Sequence, residues 1–255
     1  MKTRGSGALF AFTCCLIAAL SILYWSNTKG QLTTSGTTLN SRELPIYCVQ
    51  TAQPQIALTF DAAWGNEDTA RILEILKAND VTATFFITGG WADAYPEDVK
   101  AIQKAGHDLG NHSTTHPDMS ALGSEEQTAE LMTTHQKVKD LTGVDMTLFR
   151  PPFGDYNDSV ISNARKNGYF TIQWDVDSLD WKDYGTDTII DTVYNHRHLG
   201  NGSIILCHNG AKYTAEALDP LIRILKEQGF EFVPVSRLIL KENYHMDEEG
   251  RQISD

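Results

Sequence analysis

Short apolar runs alternate with amphipathic segments along most of the chain. Residues 56–60 (IALTF) read as a strand. Residues 69–79 (TARILEILKAN) place Ile72, Leu73 and Leu76 at helical spacing and end on an Asn. TATFFIT (82–88) is β-branched and aromatic, which predicts a strand. PEDVKAIQKAG (96–106) opens on Pro and closes on Gly, the polarity of a helix. HDLGNH reads as a short strand, and Ser124 with Gln127 resembles a capping box before a helix that runs to about Thr142. TLFR (147–150), YFTIQWDV (169–176) and SIILCH (203–208) predict further strands, and helices fit near 156–167, 186–195 and 214–228. Strands that alternate with helices predict an α/β fold with a parallel sheet covered by helices. A doubly wound sheet and a (β/α) barrel both satisfy this; roughly seven βα units over the available length favour the barrel.

The N-terminal pattern is of another kind. Residues 8–25 (ALFAFTCCLIAALSILYW) carry no charge over 18 positions, a length that spans a bilayer. Tyr24 and Trp25 suit the interface, Lys2 and Arg4 precede the run, and no small-x-small cleavage site follows Leu23. The expectation is a transmembrane signal anchor. It leaves 1–7 in the cytoplasm and the main domain outside, at the cell membrane, or secreted if the anchor is cleaved. Residues 26–43, rich in Ser, Thr, Gly and Asn, read as a flexible linker. Residues 44–242 read as the folded domain and 243–255 as a C-terminal tail. Of 255 residues, 33 are acidic and 21 basic, a net charge of −12 that argues against a nucleic-acid partner. Cys48 and Cys207 lie in the domain; an outside location permits a disulfide, while two separate thiols are the plainer expectation.

Ionisable residues recur at the ends of the predicted strands, where βα folds place their active sites. Asp61 follows IALTF, His112 follows DLGN, Arg150 ends TLFR, Asp177 and Asp180 follow IQWDV, and His208 ends SIILC. His112 and His116 are four apart, which on one helical turn puts both imidazoles on one side, able to clamp a metal. Arg150 stands before two prolines and is placed to hold a carboxylate bidentately, with Asp61 the obvious partner. Asp180 is suited to orient a histidine, and His208, sharing a strand face with Leu206, is a candidate general acid. The other histidines, HRH at 196–198 included, read as surface or structural residues.

Together, TFDA, HSTTH, RPPFG, DSLDW and LCH resemble the motifs of the polysaccharide deacetylase family, also called the NodB-homology domain or carbohydrate esterase family 4. Order and spacing agree from Ile56 to about Leu240. The opening LPIYCVQT and FDAAWGNEDT look most like the sporulation-associated branch in the Firmicutes. The resemblance implies a distorted (β/α) barrel and metal-dependent removal of N-acetyl groups from amino sugars of a cell-wall glycan such as peptidoglycan. Carried over, Asp61 is the general base, His112 and His116 are metal ligands, and Arg150 orients Asp61. Asp180 tunes His208, the acid. The Phe153 backbone N–H faces the oxyanion, and Trp181 and Leu206 wall the acetyl pocket.

Ala62 stands where the family has its aspartate ligand. The divalent ion, zinc by expectation, then has an incomplete site. Four readings stay open on the sequence: a weaker site completed by water, Asp61 as a ligand itself, a substitute from Asn66, Glu67 or Asp68, or a glycan-binding module without catalysis.

Overall fold

The computed structural model describes residues 42–255. The expected cytoplasmic segment, the membrane span at 8–25 and the linker up to residue 41 lie outside the described residues. Among the described residues no helix is long and apolar enough to cross a membrane. In chain order the strands and helices are β1 (Cys48–Val49), β2 (Gln55–Ala62), α1 (Thr69–Ala78), β3 (Thr84–Ile87), α2 (Gly89–Ala94), α3 (Pro96–Lys104), β4 (Asp108–Asn111), α4 (Ser124–Thr142), β5 (Leu148–Phe149), α5 (Asp158–Lys166) and β6 (Phe170–Thr171). They continue with β7 (Val176–Asp177), α6 (Thr186–Tyr194), β8 (Ile204–His208), α7 (Thr214–Glu227), β9 (Glu231–Phe232), α8 (Val235–Leu238), β10 (Tyr244–Met246) and β11 (Arg251–Ser254).

The main sheet is parallel throughout, in the order β6-β5-β4-β3-β2-β8-β7, with β9 also paired to the start of β2. It curls as the expected barrel does. Alternation along β2 sorts its side chains into two layers. Ile56, Leu58, Phe60 and Ala62 pack outward with Ile72, Leu76, Leu218 and Ile222 of the helices. Ala57 points inward with Phe86, Leu148, Phe170 and Ile204, and Thr59 and Asp61 share that inner face. Each fully buried Leu, Ile or Phe of these layers contributes about 1.5–3 kcal/mol, so the curled sheet is a firm base for the loops above it.

YFTIQWDV is not one strand. Phe170–Thr171 pairs with β5 and Val176–Asp177 pairs with β8, at opposite ends of the sheet. The ladder breaks because its groups are taken elsewhere. Gln173 N–H donates to Ile46 at 2.7 Å, and its carbonyl accepts from Arg150 at 3.1 Å. Asp175 then turns its carboxylate to the Ile204 N–H and the Ser203 hydroxyl. The capping box also differs: Gly123 is the N-cap of α4, and its N–H donates to Glu126 at 3.0 Å.

Residues 243–255 are not a tail. β10 and β11 form an antiparallel hairpin, and β11 adds in parallel to β1. Gly250 turns the hairpin at φ 78°, where a Cβ would sit 2.4 Å from the Tyr47 ring, so only glycine fits. Gln252, fully buried, exchanges hydrogen bonds with the Leu240 backbone. At the other boundary Glu43 pairs with Arg165, so the fold includes the last residue assigned to the linker. Cys48 and Cys207 are separate free thiols, the first half-buried and the second buried.

Candidate active site

Asp61 lies within the last turn of alternation on β2, 4% exposed. Burial by itself raises a carboxyl pKa. Here the Arg150 guanidinium, with His112 and His208 behind it, outweighs burial and holds Asp61 below the ordinary carboxylate range. Arg150 is fully buried. One terminal nitrogen donates to Asp61 Oδ1 at 2.7 Å and to Thr59 Oγ1 at 2.8 Å; the other donates to the Gln173 carbonyl. Its guanidinium lies 4.1 Å from the Phe86 ring centroid. The contact with Asp61 is thus single rather than bidentate; the bonds to Thr59 and Gln173 anchor the Arg to the barrel wall, and its buried Nε has no partner among the described residues.

The HSTTH segment is a loop, not a helical turn. Ser113 and His116 have φ of 67° and 58°, and this loop path brings the two imidazoles together with ring centroids 4.8 Å apart. The loop is held by residues that carry no motif signal. Asn111 is fully buried; it donates to the Leu131 carbonyl and Tyr169 hydroxyl and accepts from Ser113 N–H at 2.9 Å. Glu130 of α4 accepts from the backbone of Thr114 and Thr115. His112 Nδ1 lies 2.7 Å from the Arg150 carbonyl. A carbonyl only accepts, so Nδ1 carries the proton and Nε2 keeps its lone pair. That Nε2 is 3.5 Å from Asp61 Oδ2. Burial pushes His112 down to about 4 and lowers His116 as well.

Both rings are therefore neutral donors, as ligation requires. A third protein ligand is lacking. Among the described residues no three His, Cys, Asp or Glu side chains come together as a metal site. Ala62 presents a buried methyl to the outer layer. Asn66 donates instead to Asp98 at 2.6 Å, and Asp68 accepts from Gly210 N–H. These residues do not fit the three-ligand zinc site that the motif resemblance implies.

His208, across the ladder, is fully partnered at Nδ1 and at its backbone N–H. Asp61 and His208 are register partners on β2 and β8. His208 Nδ1 meets Asp180 Oδ1 at 2.7 Å, and the His208 N–H donates to Asp180 Oδ2 at 2.7 Å. Thr214 donates to the same Oδ2 at 2.6 Å. Burial lowers a histidine, yet the hydrogen bond and charge of Asp180 prevail and raise His208 above its ordinary value. With Nδ1 committed to Asp180, Nε2 is the nitrogen left for a substrate.

Phe153, Trp181 and Leu206 lie on the segments that carry Arg150, Asp180 and His208. Leu206 is buried on the β8 face shared with His208, in register with Thr59. Trp181 is half exposed on the turn that Asp180 opens. Phe153 is 71% exposed, at φ 60°, with its ring against His116 at 4.5 Å. A bulky residue at positive φ is strained, and it is held by the rigid Pro151–Pro152 entry and by Gly154, whose Cβ would collide with Trp174. Trp64, to which the motifs gave no role, tilts over the His208 ring at 5.0 Å.

Comparison with known proteins agrees with this geometry. The family model described as polysaccharide deacetylase matches residues 49–172. An uncharacterised 30.6 kDa protein of Geobacillus stearothermophilus is 35% identical over 92% of both chains. The peptidoglycan-N-acetylmuramic acid deacetylase PdaA of Bacillus subtilis is 33% identical over 78% of this chain and 77% of its own length. A solved Bacillus anthracis structure described as a CE4 family pseudoenzyme superposes with a TM-score of 0.73 at 36% identity, covering 82% of this chain and 70% of that one. With the motifs in place on a curled parallel barrel, the chain belongs to the polysaccharide deacetylase family.

Proposed function

We propose that this chain is a cell-wall polysaccharide N-deacetylase, acting on N-acetylated amino sugars of peptidoglycan. One observation carries the reading: a base and an acid on neighbouring strands, each with its own partner, are pushed in opposite directions, Asp61 down by Arg150 and His208 up by Asp180. That is the division an amide hydrolysis needs. Asp61 takes a proton from water as the water oxygen bonds to the acetyl carbon. The Phe153 N–H takes the oxyanion. His208 Nε2–H then protonates the leaving nitrogen as the C–N bond breaks, giving acetate and a free amino sugar. A relative named as a peptidoglycan deacetylase supports the substrate class. The uncharged run at 8–25 supports action outside the membrane, and the wording of the first motif supports a role in sporulation. A divalent ion, zinc first, would meet two imidazoles here and be retained more weakly than in a three-ligand site.

A second reading is a glycan-binding module without catalysis. Ala62 and the likeness to a pseudoenzyme favour it. Acetate release from peptidoglycan by the full-length chain, stripped of metal and titrated with Zn²⁺, separates the two. Release that Asp61→Asn and His208→Ala each abolish supports the enzyme. Glycan retention with no release at any metal concentration supports the module.

A further inference from the structure

Six large hydrophobic side chains are exposed among the described residues: Trp64, Met132, Phe153, Trp181, Tyr184 and Tyr194. Four of them, all aromatic, lie on the loops that follow β2, β5 and β7, the strands that bring Asp61, Arg150 and Asp180 to the site. Exposed aromatic surface concentrated at a catalytic mouth marks a ligand surface. Trp64 has the most informative surroundings. Its indole is half exposed, and it covers a histidine whose own side chain is 13% exposed. The loop beneath it is clamped. The Gly65 carbonyl accepts from Trp91 Nε1 at 3.1 Å and from Asn209 Nδ2 at 2.9 Å. Gly210 N–H donates to Asp68, and Asn209 N–H donates to the Asp61 carbonyl. Three of these hydrogen bonds fix β2 and its loop to the segment after His208 and the fourth fixes the loop to Trp91, so the indole is preorganised beside the acid at little entropic cost on binding.

We propose that Trp64 is a substrate-binding residue, a platform on which a pyranose ring of a polymeric N-acetylated amino sugar lies beside His208. A pyranose presents an apolar face of C–H groups, and an indole offers a flat apolar area of matching size. The inference rests on the deacetylase reading for the identity of the ligand. A platform beside the acid, with Trp181 and Tyr184 one loop away, suits a chain of sugars more than a single one.

The test uses the full-length chain with the N-acetylglucosamine tetramer and the monomer, read by calorimetry and by initial rates of acetate release. Trp64→Ala is expected to weaken tetramer binding and raise its KM about tenfold, equal to about 1.4 kcal/mol, with Trp64→Phe within about threefold of wild type. Being on the surface, neither variant should disturb folding, and a thermal melt checks this. Unchanged tetramer binding in Trp64→Ala overturns the proposal, even if the alkaline limb of the pH profile moves, since that would make Trp64 a shield for His208 alone. A wild type that binds no tetramer overturns it too. Acetate release by the wild type judges the deacetylase reading separately, because binding is measurable on a silent chain.

Discussion

His208 and Asp180 meet through two contacts, ring nitrogen to one carboxylate oxygen and backbone N–H to the other, both at 2.7 Å. One carboxylate thereby fixes both the position of the strand end and the rotation of the ring. It also reverses the effect of burial on the histidine. Since Asp61 sits across the ladder in the same register, the rate should require Asp61 charged and His208 protonated. The raised His208 value extends that window above the ordinary histidine range of ~6.5.

Asp180→Asn should therefore move the alkaline limb of kcat to lower pH, since the burial of His208 is then opposed only by the charges of Asp61 and Asp177. Loss of the oriented acid should cost about 10²–10⁴ in kcat. Stability follows the same sign. A raised folded pKa contributes stability below the unfolded value that is lost as pH rises through the folded one; the variant should lose this pH dependence. A pH–rate profile with an unmoved alkaline limb would refute the assignment of His208 as the acid.

Arg150→Met should destabilise the fold by about 3–5 kcal/mol at neutral pH, because it leaves the Asp61 charge buried without its cation. In the wild type the depressed Asp61 value contributes stability above its unfolded pKa of ~3.9, lost as pH falls through the folded value. In the variant burial raises Asp61, so the sign inverts and stability falls as pH rises. Urea unfolding at several pH values reads this directly, and the acid limb of any residual activity should shift upward.

Much of this site was legible in the chain. Period-two alternation correctly put His208 with Leu206, and strand ends correctly located Asp61, Arg150 and Asp180. What stayed hidden depends on long-range partners. The YFTIQWDV run has the residues of one strand, yet Ile46, 127 positions before Gln173, and Arg150, at the end of the adjoining strand, claim its backbone groups. The acidic stretch after residue 243 reads as a tail because its pairing partner, β1, lies about 200 residues away. The left-handed Ser113 and His116 are imposed by Asn111 and Glu130, whose side chains look ordinary in sequence.

Asn111→Ala tests that last point. It strands the Ser113 N–H inside the protein, a cost of about 1–3 kcal/mol. The two-histidine loop should loosen, and activity should fall further than stability explains at a temperature where the variant is still folded. The histidine ring resonances by NMR should broaden or shift for His112 and His116 while those of His208 hold. A variant with unchanged loop resonances would show that Glu130 alone positions the loop.

Ala62→Asp probes the missing ligand. The Ala62 methyl is fully buried in the helix-facing layer, so a carboxylate there without a partner should lower the melting temperature of the metal-free protein. If the carboxylate turns to His112 and His116, a bound divalent ion stabilises the native state by mass action. Added Zn²⁺ should then raise the melting temperature of the variant by several degrees more than that of the wild type, a difference of about 1–3 kcal/mol at saturating metal. The same variant should hold zinc through a desalting step that strips the wild type, as a third protein ligand implies. A melting temperature indifferent to zinc would show that position 62 no longer reaches the histidines, and that the loss of the ligand is built into the strand and is not a matter of one side chain.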